Sequence, residues 1–253
     1  MTLSYLPQTA FIFMLIFARI GTMLMLLPAL GEAVVSSRIR LMMGLLFTLV
    51  MIPVVKDQYS DLPPTLLQGF ALLGGEMVVG LFIGTSARLI MSATHVAGTV
   101  IAFQIGLAFA QSNDFVQGIQ GAIIGSFLSM LAITLIFVLN LHHMLISAMY
   151  ESYTMFKPGA MLPLGDFASM AIATVASSFT VGIQISAPFL VFGLIFYFGI
   201  GILSRLMPQI QIFFVAMPAN IALGFLLFMF LLTVMSMWFI EHFVKIISQF
   251  TGS

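Results

Sequence analysis

Long apolar runs fill most of the chain, and short polar stretches separate them. Because an α-helix rises 1.5 Å per residue, about 20 apolar residues span the roughly 30 Å hydrocarbon core of a bilayer. The pattern therefore predicts an all-α, polytopic membrane protein of long kinked helices and helical hairpins, in which residues 1–253 form one helical membrane domain. The predicted apolar runs cover residues 8–30, 41–55, 65–90, 96–110, 119–147, 167–203 and 212–240.

Two of these runs have lengths that do not suit a simple crossing. Residues 96–110 would make a helix of only about 22 Å, so we expect a re-entrant helix that forms a hairpin with the start of the next run. Residues 167–203 would make about 50 Å of helix, which is too long. This run contains Pro188, and three outcomes stay open: a kink, a break into two helices, or burial of part of the run in protein beyond the bilayer.

A polar segment, residues 104–120, stands between two apolar runs. An unpaired amide in hydrocarbon costs several kcal/mol, so these side chains are expected to face water, protein or a lumen. The segment is either a solvated loop between two membrane helices or a plug or gate in a conduit. The candidate plug loop covers residues 110–120, and its candidate gate residues are Gln111, Ser112, Asn113, Asp114, Phe115 and Gln117.

The composition excludes a water-soluble domain and several classes of function. Hydrophobic residues make up 61% of the chain and charged residues 6%, with a mean hydropathy of +1.19. The 8 basic and 8 acidic residues balance, which argues against nucleic-acid binding and against a polybasic tail for lipid headgroups. The chain has no cysteine, so it forms neither a disulfide nor a thiolate metal site.

Two charged residues fall inside predicted spans: Arg19 in the first run and Glu76 in the third. A charge in hydrocarbon needs a partner, so Glu76 is a candidate partner for Arg19. Alternatively, Arg19 snorkels to the membrane surface or binds carbonyl groups of a neighbouring helix. Small residues spaced four apart let helices approach closely, and they occur as Gly80 with Gly84 and as Gly121 with Gly125.

Basic residues predict the orientation, because loops with lysine and arginine tend to stay in the cytoplasm. The favoured assignment leaves Lys56 and Arg205 outside, with the N-terminus out and the C-terminus in. The residues on the inner side are then Arg38, Arg40, Arg88, Lys157 and Lys245. The N-terminus lacks the basic region of a cleaved signal peptide, so we expect it to be retained.

The sequence offers little chemistry, and we expect no catalytic residue, no metal site and no cofactor. His142 and His143 are adjacent, so on a helix they point about 100° apart and cannot form the i, i+4 pair of a zinc site. No zinc-protease, nucleophile-elbow, P-loop or Rossmann motif is present. Two other functions are weighed: a secondary transporter that uses Glu76 and Asp114 as coupling groups, and an intramembrane enzyme that depends on His142 or His143.

Short motifs succeed one another in a characteristic order along almost the whole chain. The most specific are residues 104–110 (QIGLAFA), followed by Asp114, and residues 208–213 (PQIQIF). The others are Ala18-Arg19, Glu32, Arg38-Ile39-Arg40, Gly75-Glu76-Met77, Gly80, Ala97-Gly98, Asn140-Leu141-His142, Ser152-Tyr153, residues 201–205, Pro218 and Gly224. Together they resemble the FliR family of flagellar export proteins and its counterparts in virulence type III secretion. Two departures are Ser36 and Phe115, which stand where members of that family often carry proline.

The resemblance implies a non-catalytic subunit of the flagellar type III protein-export gate. Such a subunit helps to form and close the channel through which unfolded substrates cross the bacterial inner membrane at the base of the flagellum. It would assemble with FliP-like and FliQ-like subunits into a closed funnel raised partly toward the periplasm, beside FlhB-like and FlhA-like components and membrane lipid. The residues around Asp114 would block its lumen until substrate arrives. The expected contacts with other subunits are Arg38, Arg40, Gly80, Gly84, Gly121, Gly125, Pro208, Gln209, Phe213 and Pro218.

Overall fold

The structure is a computed structural model, and in the part of the chain that it describes the regular secondary structure consists of helices joined by turns and short loops. Residues 5–32, 35–59, 65–107, 123–208 and 212–252 are described, and these ranges contain no strand. The predicted all-α architecture is therefore confirmed. The helices are α1 (Tyr5–Leu26), α2 (Ser37–Val55), α3 (Leu66–Gln104), α4 (Ile123–Val138), α5 (His142–Met155), α6 (Leu164–Leu206) and α7 (Ile212–Ile247), with short 3-10 helices at Lys56–Gln58 and Ser248–Phe250.

Most of the described helices are long and apolar enough to cross a membrane. Five of them meet this criterion, and the number rises to six if the bent pair α4 and α5 makes one span. The chain is thus a multi-pass membrane protein by length and composition. At 1.5 Å per residue, the 39 residues of α3 and the 43 residues of α6 make helices of roughly 58 and 64 Å, about twice the thickness of the hydrocarbon core.

Helix α3 joins two runs that the sequence separates. One uninterrupted helix contains nearly all of residues 65–90 and continues through residues 96–104. The prediction of a separate, short re-entrant helix that starts at residue 96 is therefore wrong. The polar stretch between the runs contains neither proline nor glycine. Within it, the Thr94 hydroxyl donates to the carbonyl of Met91 at 2.7 Å. A polar side chain that is satisfied by its own helix gives the backbone no reason to break.

The run of residues 119–147 is broken instead, between α4 and α5, which meet at an angle of 76°. Asn140 adopts a left-handed conformation with φ of 58°. Its N–H donates to the carbonyl of Phe137 at 3.1 Å, and the N–H of Leu141 donates to that of Ile136 at 2.9 Å. This pair of bonds is the Schellman motif, which ends a helix and turns the chain. Asparagine tolerates the left-handed conformation better than most residues with a side chain.

Pro188 lies inside a single helix. Helix α6 runs without interruption from Leu164 to Leu206, which excludes the break into two helices. Proline has no N–H, so the carbonyl of Gln184, one turn earlier, loses its helical partner. The neighbouring Ser186 hydroxyl donates to the carbonyl of Ile183 at 3.0 Å.

The chain divides into two compact units. The first comprises Met1–Ile90, Ile136–Val175 and Phe243–Ser253, and the second comprises Met91–Leu135 and Ala176–His242. In the first unit the core includes buried residues of α1, namely Leu15, Ile16, Ile20, Met23 and Leu24. In the second unit Phe189 and Phe228 are buried, with ring centroids 6.2 Å apart. The single membrane domain stays a prediction.

Candidate functional site

A buried ion pair joins α1 to α3 in the first unit. Arg19 is 1% exposed and Glu76 is 2% exposed. The Arg19 Nε donates to Glu76 Oε2 at 2.5 Å, and Nη2 donates to Oε1 at 3.0 Å. Arginine and carboxylate thus meet in the two-bond geometry that gives the strongest hydrogen bonds of this kind. The structure brings together the two charged residues that the sequence places inside the membrane.

Arg19 also binds the end of α5. Its Nη1 donates to the carbonyl of Ser152, and its Nη2 donates to the carbonyl of Phe156, each at 2.9 Å. The Ser152 carbonyl also accepts the backbone N–H of Phe156 at 3.0 Å. The last turn of a helix carries partial negative charge, so it attracts a guanidinium in addition to accepting its hydrogen bonds. The two roles considered for this arginine, pairing with Glu76 and binding a neighbour's carbonyls, therefore occur together.

Two tyrosines complete this group. The Tyr59 hydroxyl donates to Glu76 Oε2 at 3.1 Å, and the guanidinium carbon of Arg19 lies 4.1 Å from the ring centroid of Tyr153. Burial raises the pKa of the Tyr59 hydroxyl above its ordinary value, so that hydroxyl keeps its proton and remains a donor. We call Arg19, Glu76, Tyr59 and Tyr153, with the carbonyls of Ser152 and Phe156, the Arg19 cluster. A cation over a ring face that is withdrawn from water adds further attraction.

The Arg19 cluster holds helices together rather than performing chemistry. Its cation and anion are matched, and the hydrogen bonds from Arg19 and Tyr59 all end on partners within the same unit. A buried pair of this kind contributes little net stability, but removal of one partner leaves a bare charge and is strongly destabilising. The sequence assigns neither tyrosine to this group. Tyr153 belongs to one of the family motifs but has no predicted role. Tyr59 reaches Glu76 from a short polar stretch after α2, and nothing in the local pattern marks it.

Gly80 and Gly84 of α3 pack closely against α1 of the same chain. A Cβ on Gly80 would overlap the Arg19 carbonyl and the Thr22 hydroxyl, and a Cβ on Gly84 would lie 2.8 Å from the Cβ of Leu26. Both glycines are buried against α1. In this chain the two glycines contact α1, and their predicted contact with other subunits stays a prediction. The missing side chains allow α1 to approach closely enough for Arg19 to reach Glu76.

Gly125 also contacts its own chain, within the second unit. A Cβ on Gly98 of α3 would overlap the backbone of Gly125 in α4. This close approach of two helices is what small residues permit, and the predicted contact of Gly125 with another subunit stays a prediction. Gly121 lies outside the described residues.

The remaining expected contacts fall on exposed or undescribed positions. Arg38 is exposed, whereas Arg40 donates to the carbonyl of Gly31 at 3.3 Å. Ser36 accepts from the N–H of Ile39 at 3.4 Å, so this departure from the family pattern caps α2. Pro208 and Pro218 are exposed, and Phe213 lies in α7. The remaining predicted gate and contact residues lie outside the described ranges; they are Gln111, Ser112, Asn113, Asp114, Phe115, Gln117 and Gln209.

Lys56 and Lys157 lie near the same buried ion pair. Tyr59, three residues after Lys56, donates to Glu76, and Phe156, which precedes Lys157, accepts from the guanidinium of the ion pair. Both lysines therefore flank one buried group. Three residues span at most about 11 Å, so Lys56 lies near this group, and Lys157 directly follows Phe156. Lys157 also lines a cleft of about 740 Å³ together with Glu76. The predicted sides, with Lys56 outside and Lys157 inside, stay a prediction, although this common neighbourhood favours one side for both lysines.

Comparison with known proteins gives one consistent result. Residues 10–246 match the family described as bacterial export proteins, family 1. The chain is 39% identical over 242 residues to the flagellar biosynthetic protein FliR of Caulobacter vibrioides, an alignment that covers 94% of each protein. It is 30% identical over 221 residues to the protein of the same name from Bacillus subtilis, covering 85% of this chain and 83% of the relative. The protein of that name from Escherichia coli is 26% identical over 198 residues, covering 78% of this chain and 75% of the relative.

Proposed function

The chain belongs to the family of bacterial export proteins, family 1, and we propose that it helps to form and close the export channel of a flagellar type III secretion apparatus. It is a component of that apparatus and a multi-pass protein of the inner membrane. The observation that carries this conclusion is the 39% identity to a flagellar biosynthetic protein over 94% of both chains. The family resemblance identified from the sequence motifs is confirmed.

The proposed partners are FliP-like and FliQ-like subunits, with FlhB-like and FlhA-like components beside them and unfolded protein as the substrate. Support comes from large apolar side chains that are open on α6 and α7. Leu194 is 74% exposed, and Met229 and Phe230 are 77% and 76% exposed. Large apolar side chains with this much exposure are suited to contact with protein or lipid. The role proposed for the chain needs no catalysis, no metal and no cofactor.

The alternative of a secondary transporter is not favoured. It requires Glu76 to bind and release a coupling ion, whereas both carboxylate oxygens of Glu76 accept hydrogen bonds from Arg19, and Oε2 also accepts one from Tyr59. Both carboxylate oxygens are therefore occupied by donors of the same unit, and none is left to bind a coupling ion. Its proposed companion, Asp114, lies outside the described residues. The matched ion pair is better explained as a joint between helices.

We expect the polar segment to close the channel, so deletion of residues 111–117 should raise the leakage of ions and small molecules severalfold in cells. The reason is its polarity between apolar runs, which suits a lumen better than lipid. The measurement is dye or ion uptake by cells in which the assembled complex is verified by co-purification in mild detergent. Unchanged permeability in a complete assembly would contradict the proposal.

A matched pair of variants sharpens this test. Phe115→Ala removes the bulky aromatic side chain of the proposed plug, whereas Phe103→Ala removes one from α3, where Phe103 is 60% exposed. If an aromatic ring helps to seal the lumen, the first variant raises leakage and the second does not. Equal leakage from both would assign the effect to general loosening of the helices.

The orientation that we propose places the N-terminus in the periplasm and the C-terminus in the cytoplasm. Its support is the larger number of basic residues that this orientation leaves on the cytoplasmic side, as given by the sequence. Since the chain has no cysteine, single cysteines report the sides directly. In intact cells a membrane-impermeant maleimide should label Gln58→Cys and spare Ser37→Cys, both at exposed positions. The reverse pattern would overturn the orientation.

A further inference from the structure

The last turn of α3 ends in a defined geometry just before the polar segment. The N–H of Ile105 donates to the carbonyl of Ile101 at 3.0 Å, and the N–H of Gly106 donates to that of Phe103 at 3.2 Å. Gly106 has a φ of +76°, the left-handed conformation with which many helices end and which glycine adopts without strain. The chain thus leaves α3 by a sharp turn at Gly106.

A side chain from α7 binds this turn within the second unit. The Nδ2 of Asn220 donates to the carbonyl of Gln104 at 3.1 Å, and Asn220 is only 3% exposed. The same Nδ2 would lie 3.4 Å from a Cβ on Gly106. Helix ends leave carbonyls without partners, and here a different helix supplies one of the missing donors.

Two glycines on α6 and α7 accept the side chains of the same turn. A Cβ on Gly193 would overlap the side-chain oxygen of Gln104, and a Cβ on Gly224 would overlap the side chain of Ile105. Both glycines are buried. The turn therefore fits into a seat in which a single added methyl group would be in the way. We call Gly193, Asn220 and Gly224 the α3 exit seat.

We propose that Asn220 is a positioning residue that fixes the point at which the chain leaves α3. We also propose that the α3 exit seat stays closed during export, which means that the turn of residues 104–106 remains packed against it. This inference rests on the proposed function, because the fixed point determines where the polar segment of residues 111–117 starts. Gln104, Gly106 and Gly224 belong to the motifs that mark the family, and the seat gives each a physical role. The seat holds the turn both by the hydrogen bond from Asn220 and by close packing against Gly193 and Gly224, so displacement of the turn would disrupt both kinds of contact.

The first test compares Asn220→Ala with Ser236→Ala. Ser236 lies on the same helix, and its hydroxyl donates to the carbonyl of Leu232 in that helix at 2.8 Å, so its loss leaves the seat intact. Loss of the Asn220 bond should speed hydrogen exchange of the Ile105 and Gly106 amides about fivefold, which corresponds to about 1 kcal/mol. Leakage through the assembled complex should rise in parallel, and Ser236→Ala should change neither quantity.

A disulfide tests whether the seat stays closed. A Cβ on Gly193 would lie 3.6 Å from the Cβ of Gln104, within the 3.5–4.5 Å range of disulfides, and the chain has no other cysteine. Gln104→Cys with Gly193→Cys should therefore cross-link on oxidation and still support export. Added to Asn220→Ala, the cross-link should return leakage to the wild-type level.

Two results would overturn the inference. One is unchanged hydrogen exchange at Ile105 and Gly106 in Asn220→Ala, which would show that Asn220 does not hold the turn. The other is export that stops in the oxidised double-cysteine protein and resumes on reduction, which would show that the seat has to open. Failure of the proposed function is distinguishable, because deletion of residues 111–117 would then leave leakage unchanged while hydrogen exchange still reported the seat.

Discussion

Replacement of Arg19 by methionine is expected to destabilise the protein by about 3–5 kcal/mol, the cost of leaving one member of a buried ion pair without its partner. Glu76 would keep only its bond from Tyr59. The carbonyl of Phe156 would lose its bond from Arg19, and that of Ser152 would keep only the backbone N–H of Phe156. Marginal stability makes this a large loss, so little folded protein should remain in the membrane. The measurements are the steady-state amount in membranes and thermal unfolding of the purified complex in detergent.

Two control variants separate the charge from general damage. Arg88 is exposed on α3, so Arg88→Met should change stability by less than about 0.5 kcal/mol. The double variant Arg19→Met with Glu76→Leu removes both charges, and apolar replacement of a complete buried pair is often close to neutral. It should therefore recover much of the loss. A double variant that is as unstable as Arg19→Met alone would show that the carbonyl contacts, not the bare carboxylate, set the cost.

Arg19→Lys should also fail to restore stability. Lysine is a compact ammonium without the planar fork that binds Glu76 through two bonds while reaching two carbonyls. It would keep the charge but lose most of the hydrogen bonds. Stability equal to that of the wild type would indicate that charge alone suffices.

The second large effect is expected from a single methyl group on α3. Gly80→Ala would push a Cβ into the Arg19 carbonyl and the Thr22 hydroxyl. Forcing extra volume into a packed contact typically costs about 1–3 kcal/mol. The shift also moves the backbone of Arg19, so the effect should add to that of the ion pair. Thermal unfolding of the purified complex measures it.

Gly74→Ala is the matched control on the same helix. A Cβ there meets nothing within 4 Å, and the position is exposed. In a helix, alanine is favoured over glycine by about 0.5–1 kcal/mol, so this variant should be slightly more stable than the wild type. Destabilisation by both variants would mean that the α1–α3 contact is not the reason for glycine at position 80.

The sequence predicts the class of fold and the need of Arg19 for a partner, because both result from the cost of polar groups in hydrocarbon. It does not predict which surfaces the glycines serve. A small-xxx-small spacing indicates that some helix packs there, and the identity of that helix depends on how distant segments meet. Arg19 and Glu76 are separated by 57 residues, and Arg19 and Ser152 by 133. No local pattern encodes such contacts.

Helix continuity is also decided by details that hydropathy misses. The polar residues near Thr94 interrupt the apolar pattern without interrupting α3, since the Thr94 hydroxyl bonds to its own helix. Asn140, a single residue in an apolar run, ends a helix because its backbone adopts the left-handed conformation. Hydrophobicity averaged over a window predicts a break near Thr94 and a continuous helix through Asn140, and both predictions are wrong. The backbone conformation of a few residues, rather than the polarity of a segment, sets these boundaries.

The separation of the partners of Arg19 along the chain has a consequence for biosynthesis. Translation at about 5–20 residues per second means that the 57 residues between Arg19 and Glu76 take roughly 3–11 s to emerge from the ribosome. The 133 residues to Ser152 take roughly 7–27 s at the same speed. During that interval α1 carries an unneutralised guanidinium, which on its own costs about 2.5–3.5 kcal/mol at the centre of a bilayer. The apolar residues of the nascent first helix have to offset this cost until its acidic neighbour is made.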